Sequence, residues 1–248
     1  MAKIYIDPGH GGSDPGAVKY VVERDVNLIM ALACRDYLKA RGVDVKMSRA
    51  TNGAKPSINA MAREANVWQA DYVISIHNNA GRGDGFEAYY GIGSDMSGSK
   101  GLAAAIEKEV EAIGQNSRGL KTKKNSSGKD YFGMIRLTNM PAVILEGAFV
   151  DNKADAAQID TKAEQQAFGV AYAKGICNFL GITDNDVNNY LVRVTAKDLF
   201  IRTGPGTKYA NKGFIKPGIY TIVETQGRWG KLKSGAGWIC LDYTKKYR

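Results

Sequence analysis

Up to about residue 182 the chain reads as short apolar runs separated by helical patterns; beyond that it becomes short β runs broken by turn residues. Ile4-Tyr5-Ile6 is a β run that Pro8 and Gly9 end. Val26, Ile29, Met30, Ala33 and Tyr37 recur at helical spacing, predicting one buried helix face. Glu23 and Asp25 open that helix and Lys39 and Arg41 close it, the polarity the macrodipole favours, before Gly42 stops it. Val43 to Met47 predicts a strand, Ser57 caps a helix running to about Trp68, and Asp71 to Asn79 is a strand carrying His77 near its end. Phe86 to Tyr90 predicts a further strand and Leu102 to Ile113 a helix. Gln115 to Asp130 has no apolar periodicity and reads as a long, substrate-facing loop. Tyr131 to Leu137 and Ala142 to Val150 read as strands, the second so apolar that it belongs at the centre of a sheet. Two helices follow: Lys153 to Ile159, and one opened by Thr161 with Glu164 at capping-box spacing and running to Leu180.

Strands alternating with helices predict an α/β domain over residues 1–182 with a largely parallel or mixed sheet. Polar residues over 183–189 read as a linker. Residues 190–248 carry six short β runs punctuated by Gly204-Pro205-Gly206, Lys216-Pro217-Gly218 and Ser234-Gly235, which predicts a small all-β barrel.

Hydrophobic residues at 44% and charged residues at 24% describe an ordinary soluble globular protein. No apolar run reaches the roughly 18 residues of a membrane span, so no membrane insertion is expected. The N-terminus enters a strand directly, without a signal-like segment; the expectation is synthesis in the cytoplasm and action elsewhere after release. Cys34, Cys177 and Cys240 are widely spaced and form no CxxC, so they read as reduced thiols, two of them on helix faces. The net charge of +9 is uneven: residues 1–183 hold 22 basic and 20 acidic side chains, residues 184–248 hold 12 and 5. That excess suits a polyanionic partner for the tail, nucleic acid or an anionic envelope polymer; solubility alone is the plainer account.

Both histidines of the chain, His10 and His77, end an apolar β run, and parallel neighbouring strands would bring both imidazoles to one edge of the sheet. Glycines flanking His10 allow close approach to its ring. Glu146 lies in an otherwise apolar strand, where a carboxylate needs a partner, and Glu23 opens a helix that can project toward the strand ends. Two histidines and a carboxylate can hold a zinc ion with one position left for water, and a second carboxylate can move the water's proton. The structural alternatives are Glu23 as a helix-dipole partner and Glu146 in a buried ion pair.

These residues carry a family resemblance. Asp7-Pro8-Gly9-His10-Gly11-Gly12, Glu23 with Asn27-Leu28, Ser75-Ile76-His77-Asn78-Asn79-Ala80 and Leu145-Glu146-Gly147-Ala148-Phe149-Val150-Asp151-Asn152 resemble the zinc-dependent N-acetylmuramoyl-L-alanine amidases of the amidase-3 type. Arg63 with Ala65-Asn66, Gly85-Phe86-Glu87 and Met140-Pro141-Ala142-Val143 match as well, so the resemblance spans about residues 2–181. Ala148 is a small departure from the family's usual pattern and touches none of the four residues. The resemblance implies a twisted mixed β-sheet flanked by helices, one zinc ion held by His10, Glu23 and His77, and Glu146 as the catalytic carboxylate. It implies peptidoglycan as substrate, cut between N-acetylmuramic acid and the L-alanine of the stem peptide. Asn79 is then a candidate for orienting a ligand or the substrate. Lys121, Lys123 and Lys124 are candidates for contacting the acidic stem peptide, or are a solvated basic loop.

The run Leu199-Phe200-Ile201-Arg202-Thr203-Gly204-Pro205 through Tyr209, with Gly227-Arg228-Trp229-Gly230-Lys231-Leu232 and Gly237-Trp238-Ile239, resembles a bacterial SH3 domain, with Phe200 where that family has Asn. Tyr209, Trp229 and Trp238 either pack the core of this SH3-like barrel or line a groove for wall peptide. Attachment to peptidoglycan, and through the charge to anionic wall polymers, is the implied role; no base-stacking motif accompanies the charge, so no nucleic acid is expected. The whole resembles a phage or prophage endolysin, with a bacterial autolysin as the alternative. Two rivals remain: a zinc peptidase cutting within the stem peptide, and a wall-binding protein with a silent catalytic domain.

Overall fold

Strand β1 (Lys3–Pro8) lies between β2 (Asp44–Met47) and β3 (Tyr72–Asn79) and is parallel to both. Beyond β3 comes β6 (Ala142–Phe149), also parallel; β4 (Phe86–Tyr90) is antiparallel to β6, and β5 (Ser117–Lys121) completes the edge parallel to β4. The computed structural model describes residues 1–93, 97–182 and 190–247, and its contacts divide the chain into two units, Met1–Gly181 and Ile182–Arg248. The linker expected over 183–189 lies outside the described residues.

Helices cover both faces of this mixed sheet. On one side α6 (Lys162–Leu180) packs between α1 (Glu23–Ala40) and α3 (Ser97–Ala112). On the other, α2 (Ile58–Trp68) and the short α4 (Gly133–Arg136) cover Tyr5, Val73, Ala142 and Ile144 with Met61, Ala65, Met134 and Ile135. The caps are those anticipated: Ser57 accepts from the Ala60 amide, and Thr161 with Glu164 forms a complete capping box. The short α5 (Lys153–Ala156) is capped by Asn152.

Side-chain alternation then places the chemistry. Tyr5, Val73 and Ile144 face α2, so Asp7, then Ser75 and His77, then Glu146 emerge on that same face further along their strands. The apolar face turns polar toward the carboxyl ends of β1, β3 and β6.

Three sequence expectations are corrected. The buried stripe of α1 is Val26, Met30, Cys34 and Leu38, with Asn27 and Ala31, while Ile29, Ala33 and Tyr37 are only half-buried. The helix lies against the sheet and α6 together, which turns its buried face away from the most obvious apolar row. Within Gln115 to Asp130, residues 117–121 form β5, an edge strand whose one large apolar side chain is Leu120, too few to show an apolar period. Tyr131 to Leu137 holds α4 and no strand; Met134 and Ile135 are buried against α2, and a short apolar run cannot distinguish the two states. All three cysteines are buried thiols, and burial pushes the Cys34 thiol well above its ordinary range.

α1 and α6 touch at Gly169, where a Cβ would run into the Met30 carbonyl oxygen and come within 2.9 Å of the Ala33 Cβ. Gly169→Ala should therefore destabilise the protein by about 1–3 kcal/mol in urea unfolding, since overpacking outweighs the roughly 1 kcal/mol that alanine gains in helix propensity. An unchanged or raised midpoint would show that the helices separate freely here.

The second unit is antiparallel throughout. Its strands are β7 (Tyr190–Val194), β8 (Leu199–Arg202), β9 (Asn211–Ile215), β10 (Gly218–Gln226), β11 (Trp229–Leu232), β12 (Trp238–Cys240) and β13 (Thr244–Tyr247). They lie in the order β13-β7-β10-β11-β12-β8-β9 around a core of Val192, Val194, Leu199, Ile215, Ile222, Leu232 and Ile239. β13 was not anticipated, because Thr244-Lys245-Lys246-Tyr247 is polar and gains its order from backbone pairing with β7. Among the described residues no helix is long and apolar enough to cross a membrane.

Candidate metal centre and active site

β1 ends in a turn on which His10 adopts φ 62, a left-handed conformation that a non-glycine residue takes at a cost of roughly 1–2 kcal/mol. His77 leaves the adjacent parallel strand on the same side. Glu23, in the first turn of α1, is turned inward and its side chain is only 4% exposed. One Glu23 oxygen lies 3.1 Å from His10 Nε2 and the other 3.0 Å from His77 Nδ1. One donor atom from each of the three residues falls within a 4.8 Å cluster.

The surroundings aim these atoms. The Ala17 amide donates to one Glu23 oxygen at 2.9 Å; the Asn78 amide and Asn27 Nδ2 donate to the other, each at 3.2 Å. Asn78 Nδ2 in turn donates to Asn27 Oδ1, which fixes both amides. Burial alone would raise the Glu23 carboxyl, but hydrogen bonds with His10 and His77 outweigh it and hold the group far below the usual range. His10 is pushed up, first by its bond to Glu23 and also by Asp14. An anion that stabilises a proton between two imidazoles will stabilise a metal cation there.

Two glycines keep the space open. A Cβ on Gly9 would strike the His77 ring, and one on Gly16 would come within 2.5 Å of both Glu23 Oε2 and His10 Cδ2. Two imidazoles and one buried carboxylate, cradled by absent side chains, are a donor set that fits zinc. Asp14 Oδ2 meets His10 Nδ1 at 2.8 Å, leaving Nε2 facing Glu23. Sequence reasoning missed Asp14; a carboxylate four residues past a candidate histidine ligand is the signal that could have found it. Asp14→Ala should weaken metal affinity by about 10- to 100-fold, read by competition with a chromogenic chelator; unchanged affinity would remove Asp14 from the site.

Glu146 stands in register with His77 on one side and Glu87 on the other. Burial pushes its carboxyl up to about 7; Glu23 and Glu87 add to the rise, while His77 and His10 oppose it. His10, His77 and Glu146 border a cleft of about 560 Å³, with Ile58, Met61 and Phe132 on its apolar wall.

The other candidate contacts are placed around this cleft but do not border it. Lys121 Nζ is 2.6 Å from Glu87 Oε1, and Arg118 Nε is 2.5 Å from the same oxygen. Asn79 Nδ2 reaches Glu87 Oε2 at 3.4 Å. Lys123 Nζ lies 4.0 Å from the centre of the Tyr131 ring. Glu87 thus gathers Lys121 and Asn79 into one network, and Arg118, which sequence reasoning passed over, belongs to it.

In the second unit, Trp238 is 7% exposed and sits on β12, paired with β8 and β11. Tyr209 lies under the Gly204–Gly206 turn, where a Cβ on Gly204 would overlap its ring. Trp229 borders a cavity of about 780 Å³ together with Phe200, Arg202, Arg228 and Tyr243.

The profile of the amidase-3 family, described as N-acetylmuramoyl-L-alanine amidase, matches residues 4–178. The chain is 36% identical over 201 residues to the N-acetylmuramoyl-L-alanine amidase CwlM of Bacillus licheniformis, covering 79% of this chain and 76% of that protein. It is 33% identical to the endolysin of Bacillus phage SPP1 over 72% of this chain and 66% of the other. Among solved structures, the catalytic domain of the amidase CwlV from Bacillus (Paenibacillus) polymyxa var. colistinus superposes with a TM-score of 0.65 at 29% identity, covering 74% of this chain and all of that one.

Proposed function

The chain belongs to the amidase-3 family of N-acetylmuramoyl-L-alanine amidases, and we propose that it is a zinc-dependent peptidoglycan hydrolase. The bond cut is the amide between the lactyl group of N-acetylmuramic acid and the L-alanine of the stem peptide. The observation that carries this reading is the convergence of His10, Glu23 and His77 beside a cleft, with Glu146 in register next to His77.

His10 through Nε2, His77 through Nδ1 and Glu23 through its carboxylate would hold the ion. When bound, zinc supplies Lewis-acid polarisation of the scissile carbonyl and brings the pKa of a water toward ~7. Glu146 accepts the proton of the attacking water and passes it to the alanine nitrogen as the C–N bond breaks, so the amine leaves neutral and a lactyl carboxylic acid remains. Its raised basicity suits both halves of that transfer near neutral pH, with a neighbouring cation acting to lower it. Asp14 fixes the His10 tautomer, and Asn27 and Asn78 keep Glu23 from turning.

The second unit, in this reading, is an SH3-like module that holds the enzyme on peptidoglycan or on anionic wall polymers. Its cavity presents the aromatic rings of Phe200, Trp229 and Tyr243 beside Arg202 and Arg228. Trp238 then serves the core. The biological setting is that of a phage or prophage endolysin or a bacterial autolysin, a reading supported by the match to both a phage endolysin and a bacterial N-acetylmuramoyl-L-alanine amidase.

Digestion of purified peptidoglycan with product mass spectrometry tests the reaction. Stem peptides with a free L-alanine amine, absent after chelation and restored by zinc, are expected. Shortened peptides or cut glycan chains would overturn the assignment.

A further inference from the structure

Among the described residues bordering the cleft, Lys55 is the one lysine or arginine. Its Nζ lies 3.2 Å from Asp7 Oδ1, and its side chain is 17% exposed. Asp7 is fully enclosed and already accepts from Ser48 Oγ on Oδ1 and Ser75 Oγ on Oδ2, both at 2.8 Å. Burial would raise the Asp7 carboxyl, but Lys55, then His77 and the two hydroxyls, hold it below the usual range. The stem of Lys55 passes over the metal-side turn: a Cβ on Gly11 would come within 2.9 Å of the Lys55 Cβ. Arg49 nearby is committed elsewhere, to the carbonyls of Pro8, Gly9, Arg24 and Thr51 and to Asn52.

An ammonium has three donors, and Asp7 engages one side of it. Asp7 therefore anchors the head of an otherwise mobile side chain at the cleft, and the ordering entropy is removed before substrate arrives. The sugar and the lactyl amide of the substrate are uncharged. Negative charge begins on the peptide side, with the carboxylate of the residue after L-alanine. We propose that Lys55, held by Asp7, binds this carboxylate and makes the enzyme select stem peptides in which it is free over those in which it is a carboxamide. The inference rests on the amidase reading and adds a specificity residue to it.

The test uses the full-length, zinc-loaded protein and two soluble muramoyl peptides alike except at that group, carboxylate in one and carboxamide in the other. The wild type should favour the carboxylate in kcat/KM by about tenfold, the scale of one charge-assisted hydrogen bond in a partly wet cleft. Lys55→Met should bring the ratio near one, Lys55→Arg should keep it, and Lys55→Glu should invert it. Loss of folded protein lowers both rates equally and leaves the ratio untouched, so instability cannot imitate the effect. A wild type without preference, or a Lys55→Met ratio equal to the wild type's, overturns the proposal. A wild type that cleaves neither peptide nor whole wall counts against the amidase reading itself.

Discussion

Glu146→Gln should lower kcat for peptidoglycan hydrolysis by about a thousandfold and leave the zinc content equal to that of the unmutated protein. The size follows from removing a proton carrier, a role that contributes about 10²–10⁴ in rate. The amide keeps the shape of the carboxyl group and lies outside the His10, Glu23 and His77 cluster, so metal content should not change. Stability should hold or rise, because Glu146 is a half-buried carboxylate facing the charges of Glu23 and Glu87. The pH dependence has a definite sign in chelated protein. A carboxyl raised from 4.5 to about 7 binds more protons folded than unfolded between those values. Stability is therefore lost as pH rises through that window, and Glu146→Gln should be more stabilising at pH 8 than at pH 5. Full lysis of walls by Glu146→Gln would refute the proton-carrier role, whatever its stability.

Glu23→Ala should abolish both zinc retention and hydrolysis. Zinc measured by atomic absorption after dialysis should fall from one equivalent to none, and a chelator that lowers the wild type's melting temperature should leave the variant's unchanged. This substitution also frees the amides of Ala17 and Asn78 and the side chain of Asn27, at about 1–3 kcal/mol for each donor that stays buried and unpaired. Glu23→Gln is the gentler companion: it keeps one acceptor and most of the packing, and should still lose metal. Both variants retaining one zinc would place the ion elsewhere. The pair of experiments separates the two carboxylates: Glu146→Gln should give a loaded but slow enzyme, Glu23→Ala an empty one.

By itself the sequence determined most of the element order along the first unit, all but β5 and α4, together with the caps at Ser57 and Thr161, the β character of the tail, and the residues that resemble an amidase site. Period-two and period-3.6 patterns are local, and a resemblance needs only residue types in order. Even so, short or polar elements escaped: β5 and β13 form because neighbouring backbones supply hydrogen bonds, and α4 forms because Met134 and Ile135 find α2. The tertiary structure decided which strands are neighbours, and hence that Glu146 stands between His77 and Glu87. It also turned α1 so that Glu23 points inward, brought Asp14 to the far nitrogen of His10, and tied Lys55 to Asp7 across 48 residues of chain. Apart from the Asp14–His10 pair, whose partners are only four residues apart, these cannot be read from spacing, because they depend on the register of paired strands and the rotation of a packed helix. Both are set by the whole core at once.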